Sequence, residues 1–280
     1  MWFGGVVRSL FRFKGCCLNL YTIAVFWCFV LFWGNLGAAF VGHRMGRRQF
    51  LLYPEEQPRR SGNIDTVILS LLGLLTAFTF SAAYSRYEMR RQLIVDEANA
   101  IGTAWLRLDL LPENSKAEVR IMFHRYVESR ARLWSAMSDK EKALQENENG
   151  MRQQSLIWRA AVAATEGETS GDARKLLLPA LNSVFDIATT RLVSIQSHPP
   201  LVIFILLAVF SLATAWLTGY GMAEADRLVI THLAGYSALA CLVFILICDI
   251  EYPRFGLIRL DVPNQLIDDL ESQIRATLQK

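Results

Sequence analysis

The 280-residue chain carries 29 Lys and Arg against 26 Asp and Glu, a formal net charge of +3, and 52% of its residues are hydrophobic. So slight a positive balance, with no clustered basic face, argues against a nucleic-acid-binding surface. The apolar share lies only a little above the soluble norm of about 45–50%, so its distribution carries the information. Apolar residues gather near both ends and charge lies between them.

Arg8, Arg12 and Lys14 precede the first apolar run, Leu20–Val41, which is uncharged and holds Phe26, Trp27, Phe29, Phe32 and Trp33. About 20 such residues cross roughly 30 Å of hydrocarbon as a helix. The basic flank and Gly37-Ala38-Ala39 have the look of a signal peptide. The run is nevertheless span-length and aromatic-rich, which predicts a retained helix. Arg44, Arg47, Arg48, Arg59 and Arg60 fall in the first loop, whose Pro54 and Pro58 region, rich in Arg and Glu, reads as irregular.

The second run, Ile64–Tyr84, has one charge, Asp65, at its start. Nothing between Gly73 and Gly102 breaks a helix, so this span is predicted to continue out of the membrane to about Leu111-Pro112. Arg86, Arg90 and Arg91 form a basic collar along it, and Leu93, Ile94, Ala98, Ile101, Trp105 and Leu108 make a packing face. Ser115 and Glu118 have the spacing of a capping box, which predicts a helix start at Ser115. Val119, Met122, Phe123, Tyr126, Leu133 and Met137 follow on one stripe. Further helices are predicted over Lys140–Thr165 and Asp172–Ser197, with a loop at Glu166–Gly171 between them.

The third run, Leu201–Ala223, follows Pro199-Pro200 and is uncharged; the fourth, Leu228–Cys248, is broken only by Thr231, His232 and Ser237. A turn, Glu224–Arg227, makes the two a helical hairpin. Pro253 and Gly256 predict an exit turn, and residues 263–280 an amphipathic helix with Leu266, Ile267, Leu270, Ile274 and Leu278 on its apolar face. The fold class expected is an all-α membrane protein: four transmembrane helices (20–41, 64–84, 201–223, 228–248) continuous with a helical cytoplasmic bundle formed by the soluble segment 85–198. The basic residues lean toward cytoplasmic N- and C-termini in a multi-pass protein of the cell membrane.

Converging reactive groups are not evident. His43, His124, His198 and His232 are scattered, and no HExxH, GxSxG or phosphate-binding glycine loop occurs. His232 is the ionisable side chain inside a span, near its outer end. Asp96-Glu97 is the most suggestive carboxylate pair, but adjacent helical residues point apart, and salt bridges in a bundle explain them. Cys16, Cys17, Cys28, Cys241 and Cys248 lack metal or disulfide spacing. Cys16-Cys17 is a candidate for acylation. An enzyme, a metal centre and a cofactor are therefore not expected.

The stretch Gly73-Leu74-Leu75-Thr76-Ala77-Phe78-Thr79-Phe80-Ser81-Ala82-Ala83-Tyr84-Ser85-Arg86-Tyr87-Glu88, with Arg90-Arg91, Asp96–Ala104 and Leu106–Pro112, resembles the signature of the bestrophin-like family of four-span membrane proteins. Asp249–Asp261 resembles that family's segment after the last span. The family takes its name from the bestrophins, pentameric ion channels whose second span lines an apolar neck. The resemblance implies a homo-oligomer, a pentamer by analogy, that sits in a lipid bilayer and passes small inorganic ions. Its constriction candidates are Phe78 and Phe80, and its basic mouth candidates, favouring anions, are Arg86, Arg90 and Arg91. Bestrophins have a polar Phe-Arg-x-Asn run where this chain reads Phe78-Thr79-Phe80-Ser81. Their acidic calcium cluster is thin here, with Asp249, Glu251 and Asp261 as its nearest remnant, so no metal is assigned. The alternative is a non-conducting membrane scaffold packed through Gly73, Ala77 and Ser81.

Overall fold

The computed structural model describes residues 18–52, 62–136, 139–166, 171–222, 230–252, 258 and 260–279. The described segments form eight α-helices: α1 (Leu18–Leu52), α2 (Gly62–Arg107), α3 (Glu113–Ala136), α4 (Lys140–Ala164), α5 (Gly171–Gln196), α6 (Leu201–Gly221), α7 (Ile230–Glu251) and α8 (Asp261–Leu278). A 3₁₀ turn, Leu108–Leu110, closes α2. The pair Cys16-Cys17, the Pro54–Pro58 loop, the Glu224–Arg227 turn and the Pro253–Gly256 turn lie outside the described residues. Helix α2 runs unbroken for 46 residues, about 69 Å at the α-helical rise. Among the described residues, five helical stretches are long and apolar enough to cross a membrane: Val25–Leu52, Asp65–Leu110, Gly171–Ile195, Leu201–Gly221 and Ile230–Glu251.

The chain divides into two compact units. The first contains residues 17–87 and 198–258, and therefore α1, the first half of α2, α6 and α7. Helices α1 and α6 cross at backbone contact. A Cβ added to Gly42 would run into the carbonyl of Trp216, and one added to Gly219 into the carbonyl of Ala39. Small residues at such a crossing let dispersion and backbone dipoles act at short range, which is how helices associate where water supplies no hydrophobic drive. Ala39, Ala215 and Leu233 fill the adjoining core. Asn35, fully buried, donates from Nδ2 to Ser211 Oγ (3.0 Å), and the Tyr236 hydroxyl donates to the Ser211 carbonyl (3.3 Å), so one polar node ties three helices. Asn35→Leu is expected to cost about 0.6–1.7 kcal/mol, the range for hydrogen bonds between membrane helices, read as a lower unfolding midpoint in detergent.

The second unit contains residues 88–197 and 259–280. Its core joins Ile101, Trp105 and Leu108 of α2 to Phe123, Tyr126 and Val127 of α3, Ile157 and Ala161 of α4, Leu177, Leu181 and Val184 of α5, and Ile274 of α8. Within each helix that gives several residues, every one lies three or four positions from another of its set, the spacing that aligns side chains on one helical face. Helix α3 begins at Glu113 rather than Ser115. The Pro112 carbonyl accepts the first helical bonds from Ser115 N and Lys116 N (both 3.0 Å), and the Ser115 hydroxyl donates back to Pro112 (3.1 Å), so Ser115 is not the cap its spacing with Glu118 predicts. Asp139 caps α4, accepting from Glu141 N and Lys142 N (3.1 and 3.3 Å). Pro179 lies inside α5.

Candidate functional site

In the first unit the membrane half of α2 has little cover from the rest of that unit. Val67, Leu69, Leu71, Leu74, Phe78, Phe80 and Tyr84 are all exposed. Phe78 is 64% and Phe80 36% exposed. Two residues apart on a helix is about 200° of rotation, so these rings point to opposite sides and both sides are open. Apart from the helix's own adjoining backbone, no described atom lies within 4 Å of a Cβ placed on Gly73. Near the end of this stretch Ala83 and Tyr87 pack with Ile247, Ile250, Phe204 and Val243.

Arg86 is engaged rather than free. Its Nε and Nη2 both donate to Glu251 Oε2 (2.9 and 2.7 Å). Glu251 is fully buried, and its other oxygen meets His198 Nδ1 at 3.1 Å. The His198 ring lies 4.7 Å from that of Tyr252. Asp249 accepts from the Ile258 amide (3.1 Å). Both Glu251 oxygens are therefore used by protein donors, and Asp249 serves to hold the chain just past α7. His232 is exposed at the start of α7.

In the second unit Arg90 is buried and donates from Nε and Nη2 to the carbonyls of Ser194 and Ser197 (3.1 and 2.8 Å), so it caps the carboxyl end of α5. Arg91 pairs with Glu88 one turn back (2.6 Å) on the exposed side. Asp261 is exposed in the first turn of α8. No group of three or more His, Cys, Asp or Glu able to hold a metal occurs among the described residues.

Asp96 and Glu97 diverge as their adjacency predicts. Asp96 accepts from Gln92 (3.0 Å), while Glu97 is fully buried between two arginines. Arg130 Nε donates to its Oε1 and Arg191 Nη1 to its Oε2, both at 2.6 Å. Arg191 Nη2 also reaches Asn264 Oδ1 of α8. Burial by itself would raise the Glu97 carboxyl, but the Arg130 and Arg191 guanidiniums outweigh it and hold the group below its ordinary range. Arg130, Arg191 and Asn264 were not singled out by sequence spacing. A signal was there: Glu97 falls within the stripe Ile94, Ile101, Ala104 and Leu108, and Arg130 within Tyr126, Val127 and Leu133. A charge on a core stripe is expensive unless it meets a partner across the core.

The sequence model of the Bestrophin-like domain matches residues 29–261. No curated protein matches the chain by sequence. Among solved structures, a point variant of a bestrophin homologue from Klebsiella pneumoniae is 15% identical, with a TM-score of 0.63 over 88% of this chain and 98% of that one. A second variant is 14% identical, with a TM-score of 0.64 over 89% and 99%. A third structure of a homologue from that organism, solved by zinc phasing, is 15% identical, with a TM-score of 0.62 over 89% and 98%. These likenesses are likenesses of fold, and they extend over nearly the whole of each chain. Taken with the apolar helices and the match across 29–261, they place this all-helical membrane protein in the Bestrophin-like family.

Proposed function

We propose that the chain assembles as a homo-oligomer, five copies by analogy, in the cell membrane and conducts small inorganic anions through a pore lined by α2. One observation carries this reading: the membrane half of α2 is apolar and open on opposite faces, Phe78 on one and Phe80 on the other. A span so little covered by its own chain suits a helix with lipid or a neighbouring copy on one side and a water-filled lumen on the other. An apolar ring in such a lumen gates by wetting and dewetting. The spans are α1, α2, α6 and α7. Helix α5 belongs to the bundle, because Leu177, Leu181 and Val184 are spent in the bundle core and the helix carries Asp172, Arg174, Lys175, Asp186 and Arg191. Both termini then face the cytoplasm.

Of the basic mouth candidates, Arg86 and Arg91 remain accessible, while the buried Arg90 is committed to the end of α5. Carboxylates match the charge of Arg86 and Arg91, so the expected preference for anions is modest. Purified protein in planar bilayers should conduct. Whichever of Phe78 and Phe80 faces the lumen should, on replacement by Ala, change unitary conductance several-fold, and the other should change it little. Silent bilayers from a verified oligomer would instead favour the non-conducting scaffold.

A further inference from the structure

The membrane half of α2 has one packed side. Leu72, Thr79 and Ala83 are buried along it, and Ala83 and Tyr87 pack with Ile247, Ile250, Phe204 and Val243. Residues two apart on a helix stand about 200° apart. Ser81 lies two positions from both Thr79 and Ala83, and Ser85 two positions from both Ala83 and Tyr87. Both serines therefore point away from α6 and α7, and both are exposed. The same geometry separates the two phenylalanines. Phe80 stands about 60° from Ala83 and about 20° from Tyr87, whereas Phe78 stands about 140° and about 180° from them. Phe78 thus leans to the serine side and Phe80 to the packed side.

The serine hydroxyls differ from others on this helix. Ser70 and Thr79 donate back to the carbonyls of Thr66 and Leu75 (2.7 and 2.8 Å), as hydroxyls inside helices commonly do. Among the described residues Ser81 and Ser85 make no hydrogen bond, even to their own helix. A bare hydroxyl is costly in hydrocarbon and costs nothing in water, so this side of α2 suits a lumen rather than lipid. Arg86 is already engaged by Glu251. Neutral hydroxyls are then the nearest donors to Phe78 along this side, about 4.5 Å and about 10.5 Å further along the helix axis.

Resting on the oligomeric pore described above, we propose that Ser81 and Ser85 face the lumen and donate hydrogen bonds to a partly dehydrated inorganic anion just past a constriction made by Phe78, with Phe80 turned away from it. Each copy adds the same two hydroxyls, so the oligomer forms two rings of donors that replace water lost at the apolar constriction.

The test labels the verified oligomer in lipid vesicles with 2-sulfonatoethyl methanethiosulfonate, whose charge keeps it out of hydrocarbon. A cysteine thiolate attacks its thiosulfonate sulfur, a mixed disulfide forms and the sulfinate leaves. Ser81→Cys and Ser85→Cys should gain an adduct, read by intact mass, several-fold faster than Phe80→Cys, with the unaltered chain giving the background of the native cysteines. In planar bilayers, Ser81→Ala combined with Ser85→Ala should lower unitary chloride conductance several-fold. Thr79→Val, which removes a hydroxyl from the packed side, should leave it unchanged. Labelling of Phe80→Cys as fast as that of Ser81→Cys overturns the orientation. Unchanged chloride conductance in the double alanine variant overturns the donor role. Silent bilayers with the expected labelling pattern uphold the orientation while removing conduction, and with it the donor role.

Discussion

Gly42→Leu should leave little folded protein, seen as loss of the monodisperse peak in detergent and a collapsed unfolding midpoint. The first atom of any side chain at this position meets the backbone carbonyl of Trp216, with Tyr220 N close behind. A flexible side chain gives way to an intruding methyl, and such overpacking costs about 1–3 kcal/mol. Backbone held in a helix yields only if the helix itself moves, so the cost here should exceed about 3 kcal/mol. Separating α1 from α6 also breaks what the crossing positions, including the Asn35–Ser211 bond and the contact of Tyr220 with Gln49. Gly219→Leu should behave alike, since its Cβ strikes the Ala39 carbonyl. Gly37→Leu, on the same helix as Gly42 but with nothing within 4 Å of its Cβ, is the control and should change the midpoint little. Equal tolerance of leucine at positions 37 and 42 would show that the crossing is not tight.

Glu97→Gln is expected to destabilise the bundle by about 3–5 kcal/mol, because it leaves two guanidiniums buried without their carboxylate. Replacing all three charges by apolar groups of similar volume should recover much of that loss, since the desolvation of each ion goes with it. The pH dependence has a definite sign. The Glu97 carboxyl is held below its ordinary value of 4.5 in the folded chain. Its contribution is therefore complete above about pH 4.5 and drains away as pH falls through the lower folded value. Denaturant midpoints measured from pH 7 to pH 3 should drop steeply for the unaltered chain and less steeply for Glu97→Gln over that acid window. A variant curve parallel to the original would assign the acid sensitivity to other carboxylates.

Much of the fold could be read from hydropathy and helix punctuation. The long α2 was evident because nothing between Gly73 and Gly102 interrupts it, and its bundle face because Ile94, Ile101, Trp105 and Leu108 recur at helical spacing. Local signals failed where a competing local bond won. Ser115 and Glu118 have capping-box spacing, yet the Pro112 carbonyl starts the helix first. The α1–α6 crossing was illegible for another reason. Gly42 and Gly219 look like any other glycines in apolar runs, and only the pairing of two segments 177 positions apart gives them meaning. Of the candidate site, what the sequence made legible was the helix that carries it. Phe78 and Phe80 are exposed on α2, whereas the ties of Arg86 to Glu251 and of Arg90 to the end of α5 depend on tertiary placement and were not legible. Glu97 was visible as a carboxylate, but its partners on α3 and α5 were not.

The Arg191–Asn264 bond also sets a clock. The two residues are 73 positions apart, and α6 and α7 lie between them. At about 5–20 residues per second of synthesis, Arg191 is made roughly 4–15 s before Asn264. Throughout that interval Glu97, Arg130 and Arg191 are already in the nascent chain, while α8, which completes their shell, is not. Bundle closure is therefore a late event in biogenesis, and the half-built bundle, with Ile274's place in its core still empty, is the stage at which a protease or a holding chaperone finds its opportunity.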